Sequence, residues 1–273
     1  MAKILVTGGC GYIGSHTIVD LLDNYFKVIS VDSNVRSGVE MLAGVFNVTG
    51  KKIFNYKIDL CDKIATRKVF ADNADIEAVI HFAAFKSVPE SVQKPILYYQ
   101  NNINSLANVL ECMQEFKVKN LIFSSSCSVY GNTNELPVKE TTTLEKAESP
   151  YARTKQICEQ LIADNCLANN QLNAILLRYF NPAGAHKSAK MGEIPQANSY
   201  NMVPILTEIA AGLRANFTVF GDDYPTRDGS CVRDYIYIMD LANAHTRCLN
   251  FLLNKNQSQN LEIFNVEIGR AHV

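Results

Sequence analysis

The sequence predicts an α/β fold built on a doubly wound parallel sheet. Short apolar runs rich in β-branched residues alternate with amphipathic stretches along the first 180 residues. Several of these runs lack polar alternation, which is typical of parallel strands covered on both faces. Right-handed crossovers would then connect each strand to the next.

The elements follow from these patterns in chain order. Strands are predicted over 3–7, 27–31, 52–56, 77–83, 119–125 and 173–180, and helices over 12–24, 62–72, 99–116 and 150–168. Two polar, turn-rich segments, 132–149 and 186–201, interrupt this alternation after strand ends. Because ligands of open α/β sheets bind beyond the carboxyl ends of the strands, we expect both segments to form walls of a site.

Composition excludes several classes of function. The 273-residue chain has a net charge of -1, which argues against nucleic acid or an anionic membrane as a partner. No apolar run approaches the roughly 20 residues that span a bilayer, and the first residues leave no room for a signal peptide. The eight cysteines are scattered without metal-site spacing. We therefore expect a cytoplasmic protein with reduced thiols and no metal.

A glycine motif follows the first predicted strand. The segment TGGCGYIGSH places Gly8, Gly11 and Gly14 at GxxGxxG spacing, which allows a tight turn and close approach of the backbone to a pyrophosphate. Asp32 ends the second strand, where a carboxylate accepts hydrogen bonds from a ribose diol and repels a 2′-phosphate. The pattern predicts a Rossmann-type site for NAD in preference to NADP, although Arg36 lies close enough to argue for NADP.

A tyrosine and a lysine lie one helical turn apart in ESPYARTK. Pro150 suits the first turn of a helix, since its missing N–H would have no partner there. Tyr151 and Lys155 then share one face. Taken alone, such a pair is either a proton-transfer device or a surface pair without function.

The wider sequence resembles the UDP-glucose 4-epimerase family of the extended short-chain dehydrogenases/reductases. The resemblance runs from Lys3 to about Val266. The glycine motif and YxxxK indicate only the superfamily, whereas HFAAFKSVPESVQKP and RYFNPAGAH are typical of the 4-epimerases. Cys127 and Ser128 replace the Asp-Glu pair typical of nucleotide-sugar dehydratases, which makes that activity the weaker alternative.

The resemblance implies an isomerase that interconverts UDP-galactose and UDP-glucose through a 4-keto sugar, with NAD bound throughout. Tyr151 would remove the 4-OH proton as hydride leaves C4. To act near pH 7 its pKa must fall from ~10 by about three units, some 4 kcal/mol. Lys155 at ~5 Å would supply roughly 3 kcal/mol at an effective dielectric of ~20. We expect the charge of the oxidised nicotinamide to supply the remainder.

The resemblance also implies the residues of the site. The catalytic set is Tyr151, Lys155 and Ser126, the third of three consecutive serines. The implied NAD contacts are Gly8, Gly11, Tyr12, Ile13, Gly14, Asp32, Ser33, Asn34, Arg36, Ser37, Asp59, Leu60, Phe82, Ala83, Ala84, Lys86, Asn101, Ser124, Tyr151, Lys155 and Phe180. The implied UDP-sugar contacts are Lys86, Ser126, Ser128, Tyr151, Tyr179, Asn181, Asn201, Thr218, Phe220 and Arg233.

Some alternatives stay open at this stage. The substrate could be a UDP-glucuronate or a UDP-N-acetylhexosamine, because the segment 193–201 departs from the usual family pattern. A protein that binds NAD without chemistry is a second alternative, although such a protein does not need Tyr151 and Lys155. Arg233 could simply pair with Asp234. Family analogy implies a homodimer formed through the helices at 99–116 and 150–168.

The resemblance finally implies a domain organisation. We expect an NAD-binding domain over 1–180 and a smaller, incomplete substrate region over 181–266, with 232–266 partly returning to the first domain. Family members continue past residue 266, so we expect this chain to be a fragment with impaired activity. Residues 267–273 match the translation of a sequencing-library adapter with one preceding G, so Ile268–Val273 are expected to be adapter-encoded, with Glu267 a junction codon.

Overall fold

The computed structural model describes residues 1–194, 201–219, 221–256 and 258–267. Phe220, predicted to contact the UDP-sugar, and the predicted adapter-encoded residues 268–273 lie outside these ranges. Across the described ranges, no helix is long and apolar enough to cross a membrane.

Seven parallel strands form the main sheet. In chain order the strands of the protein are β1 (Lys3–Thr7), β2 (Lys27–Val31), β3 (Asn55–Tyr56), β4 (Ile76–His81), β5 (Asn120–Ser124), β6 (Asn173–Tyr179), β7 (Asn181–Ala183), β8 (Tyr235–Tyr237) and β9 (Leu261–Val266). The sheet order is β3-β2-β1-β4-β5-β6-β9, and β7 and β8 form a separate parallel pair. The chain therefore reverses direction across the sheet between β1 and β4, and the predicted doubly wound fold is confirmed.

Helices cover both faces of this sheet. They are α1 (Tyr12–Asp23), α2 (Glu40–Thr49), α3 (Lys63–Asp72), α4 (Val88–Gln93), α5 (Pro95–Glu115), α6 (Pro150–Ala168), α7 (Met202–Ala210) and α8 (Ile238–Leu253), with a 3₁₀ turn over Cys127–Tyr130. One apolar layer includes Leu5 with side chains of α3, α5 and α6. The opposite layer includes Ile4 and Val6 with side chains of α1, α2 and α8. Successive side chains of β1 thus point into opposite layers, because side chains alternate between the two faces of a sheet along each strand.

The chain returns to the sheet after the polar region that follows β6. Helix α8 packs on α1, and β9 pairs with β6 along its whole length, from Ala174 beside Leu261 to Tyr179 beside Val266. In chain order, β7, α7 and β8 lie between β6 and α8. Strand β9 therefore forms the edge of the sheet beside β6.

Several elements differ from the sequence prediction, which named none of the helices α2, α4, α7 and α8 and neither of the strands β7 and β8. The third strand shrinks to Asn55–Tyr56, because this edge strand pairs only with Ser30 and Val31 at the end of β2. Helix α4 was not predicted, although Ser87 caps it by accepting a hydrogen bond from the Glu90 N–H. Ser87 and Glu90 stand at capping-box spacing, which is the signal that could have revealed this helix.

The buried histidines predict a loss of stability in mild acid. Burial lowers the pKa of His81 to about 3 and that of His245 to about 4. The unfolded chain, with histidine near 6.5, therefore takes up these protons first, and stability falls as the pH drops from 6.5 toward 4. Each histidine should cost about 1.4 kcal/mol per pH unit within that window.

Urea unfolding at pH 6.5 and pH 5.0 measures this effect. His245→Gln should reduce the pH dependence of the unfolding free energy by about 1.4 kcal/mol per unit, because the imidazole that resists protonation is gone. An identical pH dependence in the variant and the unsubstituted protein would contradict the assignment.

Candidate active site

The glycine motif forms a tight cradle between β1 and α1. Gly8 adopts a φ of +69°, and a Cβ added there would lie 2.8 Å from the backbone nitrogen of Ala83. A Cβ on Gly14 would lie 2.3 Å from the carbonyl oxygen of Gly8. Both positions therefore exclude a side chain, because the turn, the start of α1 and the end of β4 approach one another too closely.

The first turn of α1 presents backbone donors at this cradle. Gly11 is the N-cap, and no side chain caps the helix or places an acidic group in its first turn. Tyr12 and Ile13 begin the helix, and the Tyr12 hydroxyl donates to the Gly184 carbonyl at 2.6 Å. The N-terminal N–H groups and the positive end of the helix dipole suit a phosphate group.

Asp32 lies beside the same turn, at the carboxyl end of β2. Its carboxylate accepts hydrogen bonds from the Cys10 N–H at 3.0 Å, the Asn34 N–H at 2.9 Å and the Ser37 hydroxyl at 2.8 Å. These donors fix the carboxylate beside the glycine motif. Ser33 closes the same loop by accepting from the Val35 N–H at 3.5 Å.

Arg36, on the same loop, contacts Glu90 and Phe85. Its guanidinium lies 2.7 Å from a carboxylate oxygen of Glu90 and 4.9 Å from the ring centroid of Phe85. Glu90 also accepts a hydrogen bond from the Tyr98 hydroxyl at 3.0 Å. The one residue that argued for NADP is thus part of an ion pair.

The glycine cradle, the open α1 terminus and the Asp32 carboxylate together fit an adenine dinucleotide.

Most of the remaining residues predicted to contact NAD lie on loops that follow the strands, whereas Asn101 lies in helix α5. Asp59 accepts from the Cys61 N–H at 2.8 Å, and Leu60 is buried. The Phe82 N–H and the Ala83 N–H donate to Thr7, and Ala84 follows them. Lys86 lies 3.4 Å from Glu193, and the Asn101 side-chain amide donates to that of Asn102 at 2.9 Å. Phe180 separates β6 from β7.

Helix α6 carries the tyrosine and the lysine. Ser149 caps it by accepting from the Ala152 N–H at 3.1 Å, and Pro150 is its first residue. The Lys155 ammonium donates to the Ser124 carbonyl at 2.5 Å and lies 4.7 Å from the ring centroid of Phe123. The helix start predicted from ESPYARTK is therefore confirmed, and it turns both side chains toward the end of β5.

The serine segment provides partners for this helix. Ser126 hydrogen-bonds the Tyr151 hydroxyl and receives a hydrogen bond from the Ser128 hydroxyl at 3.0 Å. Ser124 offers its carbonyl to Lys155 and its hydroxyl to that of Tyr179. The third of the consecutive serines, Ser126, which the resemblance implies to be catalytic, is therefore the one beside Tyr151.

Burial dominates the electrostatics of Tyr151 and Lys155. It raises the pKa of Tyr151 to about 12, against a smaller lowering by the Ser126 hydrogen bond, and it lowers the pKa of Lys155 to about 8. The expectation that Lys155 brings the tyrosine most of the way to neutral pH is therefore wrong for the chain alone. Desolvation outweighs that attraction, and the ammonium is bonded to the Ser124 carbonyl.

A buried charge pair next to these residues was not anticipated. Glu159, one turn beyond Lys155, accepts two hydrogen bonds from Arg178, at 3.0 and 2.6 Å, and one from the Ser125 hydroxyl. Arg178 also donates to the Tyr130 hydroxyl at 3.1 Å. An arginine inside the otherwise apolar run NAILLRYF was the available signal, because a buried guanidinium requires an anionic partner.

The residues predicted to contact the UDP-sugar are less closely gathered. Tyr179 is buried with its hydroxyl against Ser124, so its side chain belongs to the core. Asn181 donates to the Asp234 carbonyl at 2.9 Å, and Asn201 donates to Glu193 at 3.3 Å. Thr218 is exposed and lies on the loop between α7 and β8.

Arg233 lies close to the serine segment. It donates to the Val232 carbonyl at 2.9 Å, and its positive charge acts on the Cys127 thiol, whose pKa burial nonetheless raises to about 11. In the described ranges, no ion pair joins Arg233 to Asp234. Arg233 is exposed, and its charge acts on Cys127, the residue that directly follows Ser126.

The residues that the structure describes show no cluster of metal-binding side chains. They contain no group of three or more histidine, cysteine or acidic side chains that could hold an ion, and all eight cysteines are free thiols.

Comparison with known proteins gives consistent matches. Residues 4–266 match the NAD dependent epimerase/dehydratase family. The chain is 47% identical to UDP-glucose 4-epimerase uge1 of Schizosaccharomyces pombe over 91% of its length and 71% of that protein. A UDP-glucose 4-epimerase from Bifidobacterium longum, solved with NAD⁺ and UDP, superposes with a TM-score of 0.94 at 40% identity, over 98% of this chain and 79% of that one. A UDP-Glc/GlcNAc 4-epimerase from Campylobacter jejuni gives 0.82 at 32%, over 99% and 79%.

The cradle predicts that Gly14→Ala abolishes NAD retention. The new methyl group would overlap the Gly8 carbonyl oxygen, 2.3 Å away, and would force the turn away from the N-terminus of α1. We expect at least a 100-fold weaker Kd for NAD, about 2.7 kcal/mol, measured by calorimetry on the nucleotide-free protein.

Gly50→Ala is the matched control. Gly50 also has a positive φ, +71°, but a Cβ there meets nothing within 4 Å. This variant should lose about 1 kcal/mol of stability and bind NAD normally. Equal NAD affinity in both variants would refute the role assigned to the cradle.

Proposed function

Because this chain belongs to the NAD dependent epimerase/dehydratase family, we propose that it is a UDP-glucose 4-epimerase that interconverts UDP-galactose and UDP-glucose. One observation carries the proposal: Tyr151 meets Ser126 while Lys155 is buried one turn away, all on the strand edge that holds the glycine cradle. Curated relatives and solved structures, of which this chain spans 71% and 79% in the two cases given above, bear this activity in their names.

Tyr151 is the proton-transfer residue in this proposal. Its hydroxyl would take the proton of the sugar 4-OH and later return it to the 4-keto sugar. Ser126 would hydrogen-bond the same sugar oxygen, so that the proton moves along a short fixed path. Ser128, which donates to Ser126 at 3.0 Å, supports the orientation of that hydroxyl.

Lys155 would keep a positive charge beside the phenol and hydrogen-bond the nicotinamide ribose. NAD, when bound, supplies the hydride acceptor and donor at C4 of the sugar. The chain's own part is to exclude water from Tyr151 and to hold the dinucleotide through Asp32, the glycine cradle and the N-terminus of α1. These contacts favour a cofactor that stays bound throughout turnover.

The UDP portion would be held more firmly than the sugar. Arg233 suits bidentate contact with a diphosphate, and Asn181 and Asn201 offer neutral donors. The sugar must present either face of C4 to the same Tyr151, so its hydroxyls need few fixed partners. We propose in addition a cytoplasmic homodimer formed through α5 and α6, by analogy with the family.

Tyr151→Phe tests the proposal. The variant lacks the proton acceptor but keeps the ring packing, so we expect kcat for conversion of UDP-galactose to UDP-glucose to fall by at least 10³-fold. The KM and the NAD content should stay within about threefold. A coupled assay that detects UDP-glucose without net NADH measures the rate.

Tyr25→Phe is the control, because Tyr25 is exposed and lies far along the chain from α6. This control should retain full activity. Undiminished turnover in Tyr151→Phe would refute the mechanism. Turnover of UDP-N-acetylgalactosamine but not of UDP-galactose by the unsubstituted enzyme would refute the proposed substrate.

A further inference from the structure

We propose that Glu159 is a positioning residue: its buried carboxylate, held by Arg178, fixes the serine segment against α6 and places a negative charge beside Lys155. The proposal rests on the proposed function, since it concerns how that site is aligned. Glu159 itself is expected to touch neither sugar nor cofactor, because protein groups already surround its carboxylate.

The contacts of Glu159 connect two elements of the site. On α6 it follows Lys155 by one turn. From the end of β5 it accepts the Ser125 hydroxyl, whose residue directly precedes Ser126. From β6 it accepts both the Nε–H and a terminal N–H of Arg178 at 3.0 and 2.6 Å. One carboxylate thereby fixes the residue next to the predicted catalytic serine.

Arg178 fixes the far end of the same segment. Its third donor reaches the Tyr130 hydroxyl at 3.1 Å, and its guanidinium lies 5.0 Å from the centroid of that ring. The Tyr130 hydroxyl in turn donates to Asn265 on β9 at 2.6 Å. Ser126 therefore lies on a short span that one charge pair holds at both ends.

The energetics indicate more than a stabilising role. The side chains of Arg178 and Glu159 are only 4% and 6% exposed. Transfer of two charges out of water costs so much that well-packed apolar residues often replace such pairs without loss of stability. A chain under selection for stability alone has no need of this pair. Arg178 also donates to the Glu140 carbonyl at 3.3 Å, so the pair makes five directed hydrogen bonds, and these fix a unique geometry.

The same carboxylate acts on the charge of Lys155. Burial lowers the pKa of that ammonium, while Glu159 and the neighbouring Cys158 oppose the change. From β4, His81 faces the lysine, and the lysine charge helps to keep that imidazole neutral. Glu159 is thus the carboxylate whose negative charge favours the protonated form of Lys155.

Glu159→Gln tests the proposal in the NAD-bound enzyme. The substitution keeps the shape but removes the charge, so kcat for UDP-galactose should fall at least 10-fold with KM within threefold. The alkaline limb of the kcat profile should also move to lower pH, because Lys155 loses its favourable neighbour and releases its proton sooner. Ser125→Ala and Tyr130→Phe keep the charge, so they should lower kcat without moving that limb.

The control is Ile162→Val, a fully buried change farther along the same helix. It should lose stability while kcat and the pH profile stay unchanged. The proposal is overturned if Glu159→Gln keeps both the rate and the alkaline limb, or if kcat follows stability equally in all four variants. Should Glu159→Gln fail to fold, unchanged kcat in both Ser125→Ala and Tyr130→Phe overturns it as well.

A separate measurement keeps this test independent of the substrate assignment. Absence of UDP-galactose turnover by the unsubstituted enzyme would refute the proposed function. In that case the Lys155 pKa, read by NMR of ¹³Cε-labelled lysine in the NAD complex, still decides the matter: it should be at least one unit lower in Glu159→Gln, and an equal value would overturn the positioning role.

Discussion

The placement of three ionisable side chains along one face of α6, two of them buried and one partly buried, is the constraint on which the site depends. Tyr151, Lys155 and Glu159 follow one another at single-turn intervals, and each requires a polar partner once water is excluded. The consecutive serines at the end of β5 meet that demand. The Ser124 carbonyl accepts from Lys155, the Ser125 hydroxyl donates to Glu159, and Ser126 reaches Tyr151.

The sheet determines where this helix face can lie. Strand order reverses between β1 and β4, so the loops after these strands diverge and leave a crevice at their carboxyl ends. The glycine cradle opens on that crevice from β1, and the serine segment opens on it from β5. Strand β9 and helix α8 complete the sheet and its cover, so the region after residue 232 stabilises the cofactor side of the molecule as well.

Much of this arrangement was predictable because it follows from local rules. Glycine spacing, a proline at a helix start and alternating apolar runs depend on neighbours in sequence, and they identified the cradle, α6 and the sheet. The partners of Ser125 and the pairing of Arg36 with Glu90 depend on residues more than 30 positions away. The balance of burial and attraction at Tyr151 likewise needs the packed surroundings, which sequence spacing does not report.

The central claim is that the folded chain keeps Tyr151 protonated until a further positive charge lies beside it. Burial raises the pKa of this phenol to about 12, so Lys155 and Ser126 alone leave it neutral at pH 7. NMR titration of ¹³Cζ-labelled tyrosine, assigned with the Tyr151→Phe variant, measures the pKa in complexes with NAD⁺ and with NADH. The account predicts a value at least two units lower with NAD⁺; equal values in the two complexes would contradict it.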